Sequence, residues 1–243
     1  MRTIIIFIYL FFFFLIGLPY MGIEFLLGKI NKKASDLRQL RYVQLAFKII
    51  LAIGGIQVTV KGEEKIPDDT AVLYVGNHRG IFDIVISYSR CKNLTGYISK
   101  DNIAHIPLLN NWMLRLHCLF LNRDDIRAGL KTILEGIDQM KNGISMAIYP
   151  EGTRSRGDDI KEMLPFHEGS MKLATKSGCP IVPMAITETR DIFEDHLPWI
   201  HPKKVTLIYG DPIYPETLDN ETKKKLGSYC RDQIIKMLEV EGF

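Results

Sequence analysis

The hydrophobic pattern changes its period once along the chain, near residue 54. Residues 3–23 carry no charge, and residues 4–16 are almost purely aliphatic and phenylalanine. A helix needs about 20 apolar residues to cross roughly 30 Å of hydrocarbon. This segment just qualifies, with Gly17, Pro19 and Gly22 interrupting its second half. Leu37, Leu40, Val43, Leu45, Phe47, Ile49, Ile50 and Leu51 then predict a second, partly amphipathic apolar helix over residues 35–53. Beyond Gly54 and Gly55, Ile56, Val58 and Val60 alternate with Gln57, Thr59 and Lys61, the mark of a half-buried strand. Short apolar runs at 71–75, 97–99, 119–121, 144–149, 181–186 and 205–209 predict six more strands. Between them, helical spacing appears over 83–89, 107–116, 126–140, 169–176 and 222–239. In the third of these, Ile126, Leu130, Ile133, Leu134 and Ile137 share one face, and the last turns Leu226, Tyr229, Ile234 and Met237 inward. Residues 152–163 are polar and read as a loop. Strands alternating with helices predict an α/β layered domain, a mixed sheet flanked by helices, over residues 55–243. A membrane-associated helical hairpin over residues 1–54 precedes it.

Composition narrows the class. A chain of 243 residues, 47 % hydrophobic and 24 % charged, is neither disordered nor a polytopic membrane protein. A formal net charge of only +3 gives no reason to expect nucleic acid. Cys91, Cys118, Cys179 and Cys230 lack metal-ligand spacing and read as small buried hydrophobes in a reducing compartment. His105, His117, His167, His196 and His201 show no pairing motif, so a metalloenzyme built on His78, Asp83 and Glu151 is disfavoured and no metal is expected.

The N-terminal run has no small-residue cleavage site before a polar start, which argues against a secretory signal. A spanning helix and a helix dipping into one leaflet both stay open. Lys29, Lys32, Lys33, Arg38, Arg41 and Lys48 follow, against Glu24 and Asp36 alone. Basic flanks favour the cytoplasmic side and anionic headgroups, so the chain is expected at the cytoplasmic face of the cell membrane with its catalytic domain in the cytoplasm. Ordinary surface charge is the plain alternative for the same lysines.

Four segments carry candidate chemistry. Asn77-His78-Arg79-Gly80-Ile81-Phe82-Asp83 follows the 71–75 strand. Histidine suits general base work near neutral pH, more so when a carboxylate fixes its tautomer. Residues five apart on one straight helix point about 140° away from each other. The pair can therefore meet only with His78 on a loop and Asp83 in the first turn of the next helix. A histidine beside a helix-capping aspartate is the structural alternative. No serine or cysteine nucleophile motif accompanies it, which leans toward direct attack by a substrate hydroxyl. Tyr149-Pro150-Glu151-Gly152-Thr153-Arg154-Ser155 opens a loop after another strand, where Gly152 and Thr153 can expose amides and Arg154 offers a planar fork for phosphate. A polar turn with a Glu–Arg pair explains the same string. Phe120-Leu121-Asn122-Arg123 places Arg123 just past a strand, to bind phosphate or pair with Asp124 or Asp125. In residues 180–186, Pro183 inside an apolar strand implies an edge or a bulge.

These blocks, in this order, resemble the glycerolipid acyltransferase family, most closely its bacterial members that acylate 1-acylglycerol 3-phosphate. The family's Asn-His-x4-Asp is matched by Asn77, His78 and Asp83. Its Gly-x-x-Phe-Ile-x-Arg is matched by residues 117–123 with Phe120 and Arg123 kept. Its Phe-Pro-Glu-Gly-Thr-Arg-Ser is matched by residues 149–155 with Tyr149 as a conservative change, and its apolar-Val-Pro-apolar strand by residues 181–184. Lys100, Phe166 and Gly169 also sit at family positions. The likeness runs from about residue 58 to 213, and the ordered set is far more specific than any member.

The resemblance implies a glycerolipid-acyltransferase-like fold and a mechanism. His78 removes the proton from the sn-2 hydroxyl of lysophosphatidic acid, and Asp83 holds and polarises His78. The hydroxyl then attacks the thioester of acyl-CoA or acyl-carrier protein, which is a co-substrate; no bound cofactor is implied. Arg123, Arg154 and Lys100 bind the acceptor phosphate. Asn77, Glu151, Gly152 and Thr153 shape the site loops, with Glu151 orienting Arg154 and its loop. Backbone amides stabilise the oxyanion, an effect worth roughly 3 kcal/mol per donor. Partners are then membrane lipids, lysophosphatidic acid and the acyl donor. His117 stands where the family has glycine, which implies an altered acceptor fit if close backbone approach to substrate needs that glycine. A lysolipid with a larger headgroup, a lyso-ornithine lipid, and a catalytically idle lipid-binding protein are the competing readings.

Overall fold

The uncharged N-terminal run folds as one unbroken helix, α1 (Arg2–Gly28), which continues through Pro19. The computed structural model describes residues 1–243. Asn31 starts α2 (Lys32–Gly54) by accepting the Ala34 amide at 3.0 Å, and Gly55, at φ +72°, ends it in the left-handed conformation that glycine adopts without strain. A polar clasp ties the two helices. Arg38 donates to both carboxylate oxygens of Glu24 at 2.7 and 2.8 Å, and the Ser35 hydroxyl donates to the Glu24 carbonyl at 2.8 Å. Tyr42 stacks on Tyr20 and Phe13, with centroids 4.5 and 5.2 Å away. The outer side of α1 is open, with Phe7, Phe11, Phe12, Leu15 and Ile16 all half exposed or more. By length and composition α1 can cross a membrane.

The chain divides into two compact units. One comprises Met1–Thr59, Gly80–Leu94 and Glu188–Val205; the other comprises Val60–Arg79, Thr95–Thr187 and Thr206–Phe243. Residue 54 thus ends the hairpin, while the unit that holds the hairpin also draws in two later segments. One of them contains α3 (Ile81–Tyr88), which packs on α2. The Gln44 amide secures it by donating to the carbonyls of Tyr88 and Cys91 at 3.0 and 2.7 Å.

Seven strands form one sheet: β1 (Gln57–Lys61), β2 (Leu73–Gly76), β3 (Thr95–Lys100), β4 (Leu119–Leu121), β5 (Ser145–Ile148), β6 (Ile181–Ile186) and β7 (Lys204–Tyr209). Their order is β1-β7-β6-β2-β5-β3-β4. β2 runs parallel to β5 and β6, β3 runs parallel to β5 and β4, and β7 is antiparallel to β6. The sheet is mixed, as expected, and the carboxyl ends of five parallel strands share one side, where such sheets bind ligands.

Helices complete the larger unit: α4 (Leu109–Arg115), α5 (Ile126–Lys141), α6 (Lys172–Ser177), α7 (Asn220–Lys224) and α8 (Leu226–Val240). Its core joins Leu73, Val75, Met146, Ile148 and Ile181 of the sheet to Ile137 and Met140, Leu173, and Cys230, Ile234 and Leu238 from three of these helices. All four cysteines are buried and unbridged, and burial pushes the thiols of Cys118 and Cys230 up to about 12.

Three sequence expectations are amended. The closing helix is broken at Lys225, because the Glu168 carboxylate accepts the amides of Gly227 and Ser228 at 2.8 and 3.1 Å and caps α8 afresh. Pro183 lies in an interior strand, not at an edge. The bulge alternative fits instead: the register slips by one residue between Met184↔Tyr209 and Ile181↔Ile213. On α5 only Gly136, Ile137 and Met140 are buried; toward its N-terminus Ile126 and Leu130 stay exposed and line a groove.

Candidate active site

The larger unit builds most of the predicted site where β2 ends. Asn77, fully buried, continues the sheet one residue further with its side chain: its amide donates to the Ile186 carbonyl at 3.0 Å and its oxygen accepts the Ile186 amide at 2.9 Å. His78 follows on the loop, half-buried. Both of its peptide groups are held. Its N–H donates to Glu151 Oε1 at 2.7 Å, and its carbonyl accepts the Ser155 amide at 2.8 Å. Its ring lies on that of Tyr149, centroids 4.5 Å apart and planes 15° from parallel. Gly76 makes that stack possible, since a Cβ there would lie 2.9 Å from the Tyr149 ring.

Glu151 is only 4 % exposed, and its second oxygen accepts the Leu164 amide at 2.9 Å. The carboxylate therefore staples the start of the 152–163 loop to its end and to the β2 exit. Arg79 does the same from the other side. It is buried and donates to the carbonyls of Gly157 and Asp159 at 2.7 and 3.2 Å. The segment that reads as a polar loop is thus fixed, with Thr153 and Arg154 exposed on it. Sequence reasoning passed over Arg79; a single arginine inside a motif gives no sign that its partners are carbonyls nearly eighty residues on.

Arg123 leaves β4 and donates to the Gly152 carbonyl. Gly152 sits at φ +76°, and a Cβ there would lie 2.6 Å from Arg123 Nη1 and 3.3 Å from His167 Nε2. Any side chain would displace the guanidinium. Lys100 closes β3 opposite Leu121 of β4, so it emerges at the same end of the sheet as Arg123. A groove of about 330 Å³ lies here, lined by Arg123, Gly152, His167 and Lys172 with apolar Leu121 and Ile148 beneath. Pro183 has no part in it and lines a different cavity with Tyr209 and Met237.

Asp83 belongs to the smaller unit. It stands in the first turn of α3, as the spacing requires, and is fully buried. One carboxylate oxygen accepts the Gly80 amide at 2.9 Å, so Asp83 does cap its helix. The other accepts the hydroxyl of Thr189, itself fully buried. Glu194 caps the same helix through the Ile81 amide at 2.7 Å. Thr189 and Glu194 carry no local motif, and nothing in the sequence marks them.

His117 explains itself through its backbone. Its φ of +60° lies in the left-handed region, on the turn from α4 into β4. That conformation costs a residue with a Cβ about 1–2 kcal/mol, which glycine avoids. The turn is by itself a reason for glycine at this position, beside any close approach of substrate. His117→Gly is expected to raise stability by about 1 kcal/mol, after glycine's extra unfolded-state freedom is subtracted, and to leave acceptor preference unchanged. Thermal unfolding beside a competition assay among lysolipids checks both.

Comparison with known proteins adds the following. A family model described as Acyltransferase matches residues 57–187. The 1-acyl-sn-glycerol-3-phosphate acyltransferase of Borreliella burgdorferi is 32 % identical over 197 residues, covering 81 % of this chain and 78 % of that protein. The protein of the same name from Saccharomyces cerevisiae is 27 % identical, and the match spans 78 % of this chain but 62 % of the yeast protein. The crystal structure of the 1-acyl-sn-glycerophosphate (LPA) acyltransferase from Thermotoga maritima is similar in fold, with a TM-score of 0.76 over 99 % of this chain and 98 % of that one, at 23 % identity.

Proposed function

We propose that this chain, which belongs to the acyltransferase family, transfers a fatty acyl group from a thioester donor to the sn-2 hydroxyl of 1-acylglycerol 3-phosphate and so makes phosphatidic acid. The observation that carries this is the placement of His78. It stands half-buried at the carboxyl end of a central strand, with its backbone pinned at both peptide groups and its ring stacked on Tyr149. A base must be held within hydrogen-bond reach of the proton it takes, and this anchoring supplies the rigidity.

In the proposed reaction His78 takes the proton from the acceptor hydroxyl as its oxygen attacks the thioester carbonyl. The tetrahedral intermediate collapses, the C–S bond breaks, and the departing thiolate takes the proton back from the imidazolium. Asp83 is the carboxylate that fixes the imidazole tautomer and offsets its charge, with Thr189 and the Gly80 amide fixing Asp83. Arg123, Arg154 and Lys100 bind the acceptor phosphate, with Arg123 oriented by Gly152. Residues 55–243 make up the catalytic domain, and the donor is acyl-CoA or acyl-carrier protein. Acyl transfer to lysophosphatidic acid in detergent, with each labelled donor supplied separately, tests the reading. Phosphatidic acid formed with one donor supports it and names that donor; no product with either sinks it.

The hairpin is proposed to lie in one leaflet at the cytoplasmic face. α2 runs back along α1, clasped from Glu24–Arg38 through Tyr20–Tyr42 to Phe13. Were α1 to stand across the bilayer, it would carry the exposed Arg41 and Lys48 of α2 into hydrocarbon. Each such charge costs about 2.5–3.5 kcal/mol even on the gentlest scale. Lying flat, the hairpin sinks its phenylalanine face and keeps its cations among headgroups. Cysteines placed at Arg2 and at Lys32 are expected to react with an impermeant reagent from the same side of a sealed vesicle; labelling from opposite sides would mean that α1 spans.

A further inference from the structure

Two basic side chains in the groove beside Arg123 are without a partner in the protein. His167 is fixed by its backbone: its N–H donates to the Pro150 carbonyl at 3.1 Å, and its own carbonyl accepts the Ser170 amide at 3.0 Å. Its ring makes no hydrogen bond or ion pair with the rest of the chain, and neither does the ammonium of Lys172. Glu168 beside it is turned away, since its carboxylate caps α8 through the amides of Gly227 and Ser228. The Cβ position that Gly152 leaves empty lies 2.6 Å from Arg123 Nη1 and 3.3 Å from His167 Nε2, so the two nitrogens flank one point of the groove wall. Asp125 is the one carboxylate among the lining residues, and its Oδ1 already accepts the amides of Arg127 and Ala128 at 2.8 and 3.1 Å. The rim thus sets two permanent cations and an imidazole against one carboxylate that is occupied. Leu121, Ile133 and Ile148 make the groove apolar below that rim.

We propose that His167 and Lys172 join Arg123 in binding the acceptor phosphate, and that the three together select a phosphate monoester over a diester. A monoester headgroup ends in three free oxygens and carries about −1.5 to −2 charge near neutral pH. A diester has two free oxygens and a single charge. Three donors on three separate side chains match the first, and against the second one of them is left facing an esterified oxygen. Arg123 has donors to spare after the Gly152 carbonyl takes one, because a guanidinium carries five N–H groups. An imidazole donates from one nitrogen when neutral and from both when charged. The apolar floor under the cationic rim suits an amphiphile, with its head at the mouth and its tail below, better than a free anion. This assignment rests on the acyl-transfer reading for placing the acceptor in the groove. It goes further in choosing among acceptors, because a lysolipid whose larger headgroup is joined through a second phosphate ester forfeits one of the three contacts.

Calorimetric titration of the full chain in detergent, with no acyl donor present, reads binding without turnover. The probes are 1-hexanoylglycerol 3-phosphate, the matching lysophosphatidylglycerol, CoA and inorganic phosphate. The monoester lipid is expected to bind about tenfold or more tightly than the diester. His167→Ala and Lys172→Ala are each expected to weaken the monoester about tenfold and the diester only about twofold. His167→Gln, which returns an N–H, is expected to recover part of the loss. The backbone bonds of residue 167 survive these changes, so the variants are expected to melt with the parent. Monoester binding unchanged in His167→Ala would overturn the proposal, as would a parent chain that does not bind the monoester. An equal loss for both lysolipids would reduce these groups to a general attraction for anions and overturn it too. A loss confined to CoA would give the groove to the donor's phosphates, and inorganic phosphate binding as tightly as the lipid would make it a site for the free anion; either result sinks the assignment. Binding that depends on His167 in a chain that then transfers no acyl group from either donor would instead sink the proposed reaction and leave this assignment standing.

Discussion

His78→Ala is expected to lower kcat for acyl transfer about a thousandfold while barely moving the melting temperature. General base catalysis contributes roughly 10²–10⁴ in rate, and the residual activity comes from positioning and oxyanion stabilisation. The melting temperature is insulated because the bonds that fix this residue are made by its backbone, to Glu151 and to Ser155, and survive the truncation. The stack on Tyr149 is lost. Asp83→Asn is expected to cost about a hundredfold or more in kcat by leaving the imidazole in the wrong tautomer. It also places an amide where two donors, Gly80 N–H and Thr189 O–H, now find oxygens, so its melting temperature falls as well. Measuring kcat and thermal unfolding side by side separates the two effects. A His78→Ala enzyme with near-parent kcat would remove the base from the mechanism altogether.

The second large effect is expected at Glu151. Its carboxylate accepts two amides, those of His78 and Leu164, at 2.7 and 2.9 Å. Glu151→Ala leaves both amides without a partner, and an unpaired buried donor costs about 1–3 kcal/mol. The expected loss is roughly 2–6 kcal/mol for the pair, a fall of about 4–24 °C for a chain of this size. Because one of those amides belongs to His78, kcat falls too, by about a hundredfold on the rule that small misplacement is expensive. Glu151→Gln keeps one acceptor and is expected to fall between. A substrate-binding glutamate would behave otherwise: Gln would raise the acceptor KM and leave the melting temperature alone. That pattern would reassign Glu151 from the scaffold to the ligand.

Much of this was legible in the chain because the signals are local. The alternation of Ile56, Val58 and Val60, the helical spacing in 126–140 and the aliphatic run of 181–186 each reflect one element's own burial. The blocks around His78, Arg123 and Glu151 were visible because each sits on the few residues that follow a strand. What escaped depends on partners far away. Thr189 reaches Asp83 across 106 positions, and nothing near Thr189 announces it. Pro183 argued for an edge or a bulge, and the choice lay with Tyr209 at the end of β7 and Ile213 beyond it. The break at Lys225 depends on Glu168, a residue of a different element. Periodicity grouped Ile126 and Leu130 with Ile137, and they do share a line of the helix, but only its C-terminal half meets the core, and nothing local marks where that cover ends.

The double anchoring of His78 has a kinetic consequence. Many enzymes close a flexible lid over their substrate, and its opening then sets the turnover rate. The loop between Glu151 and Leu164 has no hinge on which to do this: Glu151 ties both of its ends, Ser155 binds the His78 carbonyl, and Arg79 grips Gly157 and Asp159. Turnover is then expected not to wait on a swing of that loop.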